Sequence, residues 1–185
     1  MIIKINNKKY IGQCNALSYM FYKRIFNANV FEDLEQLKTT LIIISNQKQA
    51  DKDIIMFYQI ISRFIYTLIY TKNQCIEDFE TWNKKIEIKE FTDELVNTVI
   101  ETFLNSFIDE EVLKELEKQP KTTSKESVFP EHNFIRTCIE NNITMEDLKI
   151  LTYSDVMKIF LSNNTHKNKG FREATQSDWD RLASM

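Results

Sequence analysis

The scarcity of glycine and proline is the feature that most constrains the fold of this chain. Only two glycines and two prolines occur among its 185 residues. Glycine adopts the left-handed conformations of tight turns and proline breaks helices, so sheet-rich and loop-rich domains need many of both. The sequence therefore predicts a mainly α protein, a helical bundle with a short N-terminal β-hairpin and a small C-terminal helical appendage.

The composition indicates a folded core and narrows the functional classes. Hydrophobic residues make up 43% of the chain and aromatic residues 12%, which is enough to bury a core. A net charge of -3 gives no electrostatic reason to expect nucleic acid as a partner. Cys14, Cys75 and Cys138 are far apart and form no CxxC pair, which indicates free thiols in a reducing compartment. We also expect no secretion signal, because no basic start precedes a long apolar run.

Hydrophobic periodicity divides residues 1–118 into a hairpin and a helical body. Ile3 and Ile5 alternate with polar residues, and Asn6 and Asn7 are residue types that favour a tight turn. After this hairpin, apolar residues recur at helical spacing, with polar breaks between the segments. The predicted helices cover residues 15–26, 31–45, 51–73, 76–84, 91–107 and 110–118.

Residues 54–70 are almost entirely apolar, which raises the question of a membrane-spanning helix. The segment has 17 residues, at the lower limit for crossing a bilayer. Gln59 and Arg63 lie in its middle, and a central arginine costs about 2.5–3.5 kcal/mol on insertion. A helix that is apolar on all faces is also typical of the centre of a bundle. We therefore expect a buried central helix and no association with a membrane.

The chain changes character after residue 118. Residues 119–130 are polar and contain Pro120 and Pro130, a composition that predicts a linker. Residues 131–185 are expected to form a small helical module with a polar tail and a terminal helix. Three Thr-x-x-Asp pairs in this module resemble capping boxes, in which the carboxylate reaches back to the helix cap. These pairs are Thr144/Asp147, Thr152/Asp155 and Thr175/Asp178.

The residues form no pattern typical of a catalytic or metal site. Neither glycine lies in a phosphate-binding loop. His132 and Cys138 are six residues apart, a poor helical match for a metal site, and His166 lies in a polar segment. No serine or cysteine nucleophile has an evident base beside it. We expect a protein that is not an enzyme, with no catalytic, cofactor-binding or metal-binding residue and no cofactor.

Three stretches of the chain, in this order, resemble a known family. IKINNKKY at 3–10 is similar to an opening strand-turn-strand that usually has glycine where this chain has Asn7. NFIRTCIENNITMEDLKILTYSDVMKIFL at 133–161 resembles a downstream module, and REATQSDWDRL at 172–182 resembles a C-terminal end. The family consists of the tail assembly chaperones of long-tailed (siphovirus-type) bacteriophages.

The resemblance implies a binding protein that does no covalent chemistry. Such a chaperone binds and solubilises the tape-measure protein during tail morphogenesis, self-associates, and contacts the tail tube protein through its C-terminal part. It acts in the cytoplasm of the bacterial host and is not expected in the mature virion. Exposed apolar surface would mediate the binding, with Phe57, Phe64, Trp179 and Leu182 as candidates. The alternative role of each candidate is packing in the core or docking of the tail.

A second hypothesis is a helical adaptor or regulatory domain that contacts DNA through residues 133–162. A compact group of short helices is compatible with a helix-turn-helix. However, Arg136, Lys149 and Lys158 are outnumbered by acidic residues, whereas a recognition helix usually has a basic or amide-rich face. We therefore favour a packing module and no nucleic-acid partner. The acidic residues are Glu140, Glu146, Asp147 and Asp155.

Overall fold

The computed structural model describes residues 1–45, 51–110, 112, 114 and 131–166. In these ranges the chain is mainly helical and has one two-stranded antiparallel sheet at its N-terminus, so the predicted fold class is confirmed. The strands are β1 (Ile2–Ile5) and β2 (Lys8–Ile11). The helices are α1 (Ala16–Phe26), α2 (Val30–Ser45), α3 (Asp51–Lys72), α4 (Phe79–Asn83), α5 (Asp93–Phe107), α6 (Glu131–Glu140), α7 (Met145–Leu148) and α8 (Tyr153–His166), with a 3-10 turn at Ile88–Glu90.

The N-terminal hairpin closes through a two-residue turn. Ile5 pairs with Lys8, and the intervening Asn6 and Asn7 have φ angles of 50° and 58°. Two successive positive φ values are what a type I′ turn requires, and asparagine tolerates them better than other non-glycine residues. The hairpin predicted around this asparagine pair is confirmed.

Gly12 allows the hairpin to lie directly on α3. A Cβ atom at this position would lie 2.7 Å from Ile3 Cδ1 and 3.1 Å from Leu68 Cβ. Just beyond it, the backbone N–H of Gln13 donates a hydrogen bond to the carbonyl of Leu68, over 3.0 Å. The side chains of Ile3 and Ile5 are 0% and 1% exposed, so one face of the hairpin belongs to the core.

Helix α1 is capped by an asparagine at each end. The side chain of Asn15 accepts a hydrogen bond from the Leu17 N–H at 3.0 Å, while Ser18 Oγ accepts one from the Asn15 N–H at 3.0 Å. At the other end Asn27 adopts a left-handed conformation with φ 48°, a common way to end a helix. The break predicted at residues 27–29 is therefore confirmed.

Helix α3 lies at the centre of the bundle. Ten of its residues are buried, between Phe57 and Ile69, and it packs against α1, α2 and α5. By length and composition α3 could cross a membrane, but 56% of its most apolar window is buried inside the protein. The expectation of a buried central helix is confirmed.

Stacked aromatic rings join three of these helices. Phe64 of α3 stacks on Phe103 of α5 with ring centroids 4.1 Å apart, and its edge meets Tyr22 of α1 at 5.5 Å. Phe103 stacks in turn on Phe107 at 5.6 Å. Such pairs contribute about 0.5–1.5 kcal/mol each beyond simple burial, so they fix how α1, α3 and α5 pack.

The described part of the predicted C-terminal module packs on the body. The ring of Tyr153 at the start of α8 lies 5.0 Å from that of Tyr19, 5.4 Å from that of Phe107 and 5.5 Å from that of Phe134. The Ala16 N–H also donates to the Leu151 carbonyl at 2.8 Å. Residues 131–166 therefore share one core with residues 1–110. The predicted linker at 119–130 and the tail beyond residue 166 lie outside the described residues.

Two of the three predicted capping boxes are present. In the first, the Asp147 N–H donates to Thr144 Oγ1 at 3.2 Å and the Thr144 N–H donates to Asp147 Oδ2 at 2.8 Å. The same exchange joins Thr152 and Asp155, at 3.1 and 2.9 Å. The bonds from Thr144 hold the pKa of Asp147 below its usual range. The third pair, Thr175/Asp178, lies outside the described residues.

The segment between α3 and α5 departs most from the predicted bounds. Helix α4 begins only at Phe79, because Asp78 caps it by accepting a bond from the Thr81 N–H at 3.0 Å. Helix α5 begins at Asp93 after a cap at Thr92, two residues later than expected. The 3-10 turn was not predicted. In the predicted helix at 110–118, residues 110, 112 and 114 are helical and the others lie outside the described residues.

Candidate binding surface

The predicted partner-binding residues that the structure describes lie in the core. Phe57 is 8% exposed and Phe64 is 0% exposed. In this conformation the ring of Phe64 is enclosed by Tyr22 and Phe103, so a partner would reach it only if α3 separated from its neighbours. Its role in partner binding stays a prediction. Trp179 and Leu182 lie outside the described residues.

The same apolar helix exposes other side chains where it meets α2. Ile55 near the start of α3 is 55% exposed, and Leu41 and Ile42 near the end of α2 are 40% and 54% exposed. The two helices are antiparallel neighbours, with Gln36 Nε2 donating to Met56 Sδ at 2.6 Å. We call Leu41, Ile42 and Ile55 the apolar tip.

Sequence periodicity alone does not identify the apolar tip. Leu41 continues the helical spacing of Leu34 and Leu37, which are 5% and 2% exposed. It differs from them because it lies farther along α2, toward the end of the helical pair. Exposed Lys38, Asp51 and Lys52 lie on the same helices, so apolar side chains are flanked by charges of both signs. Such a surface suits the apolar face of an amphipathic helix.

A buried polar network supports α2 and α3 behind this surface. Asp33 Oδ2 accepts hydrogen bonds from the Tyr22 hydroxyl and, at 3.1 Å, from Arg63 Nη1. The guanidinium of Arg63 lies 5.8 Å from the ring centroid of Phe26. Burial, then the negative charge of Asp33, raises the pKa of Tyr22 above its ordinary value. The phenol therefore stays neutral, and the network joins α1, α2 and α3.

The other polar groups that could form a binding or catalytic site have structural roles. Among the described residues, no group of three or more His, Cys, Asp or Glu could hold a metal ion. A cleft of about 490 Å³ lies between Gln13, Thr71 and Lys149. The side-chain amides of Gln13 and Asn15 both donate to the Lys149 carbonyl, at 2.9 Å each. Burial raises the pKa of the Cys14 thiol to about 11, which keeps it in the unreactive protonated form.

The basic side chains of residues 131–166 are paired with carboxylates. Arg136 Nε lies 2.8 Å from Glu140, Lys149 Nζ lies 2.5 Å from Glu146, and Lys158 Nζ lies 2.7 Å from Asp109. Phosphate groups would have to compete with these carboxylates for each cation. The arrangement does not favour DNA contact through residues 133–162.

Comparison of the chain with protein-family models, curated proteins and solved structures gives no match. The functional argument therefore depends on the surfaces described above and on the resemblance of the three sequence stretches. Of those stretches, residues 3–10 form the hairpin and residues 133–161 form most of α6 to α8.

Proposed function

We propose that this chain is a tail assembly chaperone of a long-tailed bacteriophage, which binds and solubilises the tape-measure protein during tail morphogenesis. The order of the three resembling stretches supports this function. The structural observation that favours it most is the apolar tip, where Leu41, Ile42 and Ile55 remain exposed at the end of an otherwise well-buried helical pair.

The apolar tip suits reversible binding without nucleotide. Fully burying a Leu or Ile side chain contributes about 1.5–3 kcal/mol, so burying the exposed half of these three contributes roughly 1 kcal/mol each. The total of about 3 kcal/mol is small, and a long helical tape-measure protein would need many chaperone copies along its length. Release can then follow by mass action as tail tube subunits compete for the same protein.

The remaining parts of the proposal follow the family resemblance. The C-terminal part contacts the tail tube protein, the chain self-associates, and the protein acts in the host cytoplasm without entering the mature virion. It performs no covalent chemistry and needs no cofactor.

Co-expression with the tape-measure protein of the same genome tests this function. We expect the wild-type chain to keep the tape-measure protein in the soluble fraction. The double variant Leu41→Glu/Ile55→Glu should lower that soluble fraction several-fold, because it places charge in the apolar tip. Ile88→Glu is the matched control, since Ile88 is 58% exposed but lies in the 3-10 turn, and it should behave as wild type.

Two outcomes would count against parts of the proposal. If the wild-type chain leaves the tape-measure protein insoluble and does not co-purify with it, the proposed function is wrong. If the Leu41→Glu/Ile55→Glu variant keeps the tape-measure protein as soluble as the wild-type chain does, the function stands but the tape-measure protein binds at another surface.

A further inference from the structure

Charge is segregated along this chain. Residues 1–31 contain five basic residues and no acidic one, although the whole chain has a net charge of -3. In the hairpin, Ile2 lies opposite Ile11 and Lys4 lies opposite Lys9. These two pairs alternate with the buried Ile3 and Ile5, so they share the outer side of the sheet. Ile2 and Ile11 are 68% and 62% exposed. We call Ile2, Lys4, Lys9 and Ile11 the hairpin face.

Helix α5 presents a surface of the opposite charge. Glu94, Glu101 and Leu104 follow one another at spacings of seven and three residues, which places them along one side of the helix. Ile108 follows the last residue of α5, and its N–H donates to the Leu104 carbonyl. Glu94 and Glu101 are exposed, and Leu104 and Ile108 are 38% and 39% exposed. No lysine or arginine occurs in α5. We call these four residues the α5 stripe.

The charges of both surfaces are unpaired within the described part of the chain. Lys4 and Lys9 form no ion pair with any described carboxylate, and Glu94 and Glu101 form none with any described cation. Each surface also ends in two exposed large apolar side chains. The two surfaces therefore carry opposite charges, and both include exposed apolar side chains.

We infer that the hairpin face of one copy of this chain binds the α5 stripe of a second copy. Lysines directly opposite one another repel, and lysines at a sheet edge oppose pairing with another such edge, so two hairpin faces do not suit each other. Two α5 stripes repel for the same reason. The contact is therefore head-to-tail, and because it uses different patches on each copy it can repeat from copy to copy.

The size of the two surfaces predicts a weak contact that depends on salt. Each strand of four residues spans about 13 Å and the two strands lie about 5 Å apart, so the hairpin face offers an area on the order of 100–200 Å². A standard stable interface buries about 800 Å² per partner. Complementary charge then contributes mainly to encounter and orientation. The proposed function includes self-association, so this inference rests on it for the biological role of the contact. The contact itself is argued from the charge and exposure of the two surfaces.

Sedimentation velocity of this chain alone tests the contact. Over about 20 µM to about 1 mM protein, the weight-average mass should rise with concentration and pass that of a dimer. Raising NaCl from about 0.1 to about 1 M, which shortens the screening length from about 10 to about 3 Å, should reverse the rise. Lys4→Glu/Lys9→Glu and Glu94→Lys/Glu101→Lys should each lower the association constant at least tenfold, a rough expectation for losing two charge pairs.

Mixing the two charge-reversed proteins is the decisive measurement. Each should stay monomeric alone, but an equimolar mixture should associate, because each acidic surface then meets a basic one. Lys72→Glu/Lys84→Glu changes the net charge as much as Lys4→Glu/Lys9→Glu, but these exposed lysines lie outside both surfaces and outside the apolar tip, and the variant should associate as wild type. Far-UV circular dichroism confirms that each variant is folded.

Three results would overturn the inference: a wild-type chain that is monomeric throughout, association that stops at a dimer, or a mixture that stays monomeric. None of these measurements includes the tape-measure protein. A chain that associates but fails to solubilise the tape-measure protein would refute tape-measure binding and leave this contact intact. A monomeric chain that still solubilises the tape-measure protein would refute the contact and the self-association, and leave tape-measure binding intact.

Discussion

Replacing Phe64 by alanine tests whether the apolar helix α3 serves the core at this position. The ring is 0% exposed, lies 4.1 Å from that of Phe103, and lies 5.5 Å from that of Tyr22. Removing a fully enclosed phenylalanine ring costs about 3–5 kcal/mol, because the apolar contacts are lost and a cavity remains. We expect Phe64→Ala to lower the free energy of unfolding by that amount.

Urea unfolding measures this loss. The free energy of unfolding falls with urea at about 2 kcal/mol per molar for a domain of this class, so a loss of 3–5 kcal/mol shifts the midpoint by about 1.5–2.5 M. Domains typically have only about 5–15 kcal/mol of stability. The variant would therefore lose a large fraction of the free energy of unfolding. Fluorescence and circular dichroism should report the same midpoint.

Ile55 provides the matched control on the same helix. It is 55% exposed, so Ile55→Ala should change the free energy of unfolding by less than about 0.5 kcal/mol. Equal midpoint shifts for the two variants would refute this account of α3. So would a Phe64→Ala protein that keeps its midpoint but no longer solubilises the tape-measure protein, since Phe64 would then be a binding residue outside the core.

The remaining predictions concern the turn, the thiols and one helix cap. Asn7→Val should cost about 1–2 kcal/mol in urea unfolding, because a β-branched residue disfavours the φ of 58°, whereas Asn7→Gly should be neutral or stabilising. A disulfide reagent should label exposed Cys75 much faster than half-buried Cys14 in the native state, because burial raises the pKa of Cys14 to about 11; equal labelling rates would contradict this. The pKa of Asp147 is lowered from 3.8 by the side-chain and then the backbone bond from Thr144. Its contribution to stability is therefore present above pH 3.8 and lost as the pH falls through the lower folded pKa. The difference between the unfolding midpoints of wild type and Thr144→Ala should shrink at acid pH to the part contributed by the bond from the Asp147 N–H to Thr144 Oγ1, and a difference independent of pH would refute this.

Local features of the fold were predictable because short-range chemistry determines them. Asn6 and Asn7 specify a turn with two positive φ values, and the pairing of β1 with β2 follows from that turn. The Thr144/Asp147 box needs only residues three apart. The scarcity of glycine and proline excluded a loop-rich alternative for the rest of the chain.

The sequence does not predict in the same way which helices pack against one another. The sequence presents Arg63 as an obstacle to membrane insertion, but it does not show that this arginine pairs with Asp33, thirty residues earlier in the chain. A single sequence shows which face of a helix is apolar, but it does not show which other helix covers that face. The ring of Tyr153, which joins α8 to Tyr19 and Phe107, illustrates the same limit.

The same limit applies to partner binding by α3. Because the helix is apolar on all sides, its sequence makes Phe57 and Phe64 candidates for partner binding but does not show which of its side chains other helices cover. In the structure Phe57 and Phe64 are 8% and 0% exposed, and the ring of Phe64 packs against Tyr22 of α1 and Phe103 of α5. Ile55 is 55% exposed and lies nine residues before Phe64, on the opposite side of the helix. We therefore expect stability and binding to depend on opposite sides of α3. Substitutions at Phe64 should act through unfolding and substitutions at Ile55 through affinity, so the two effects can be separated experimentally.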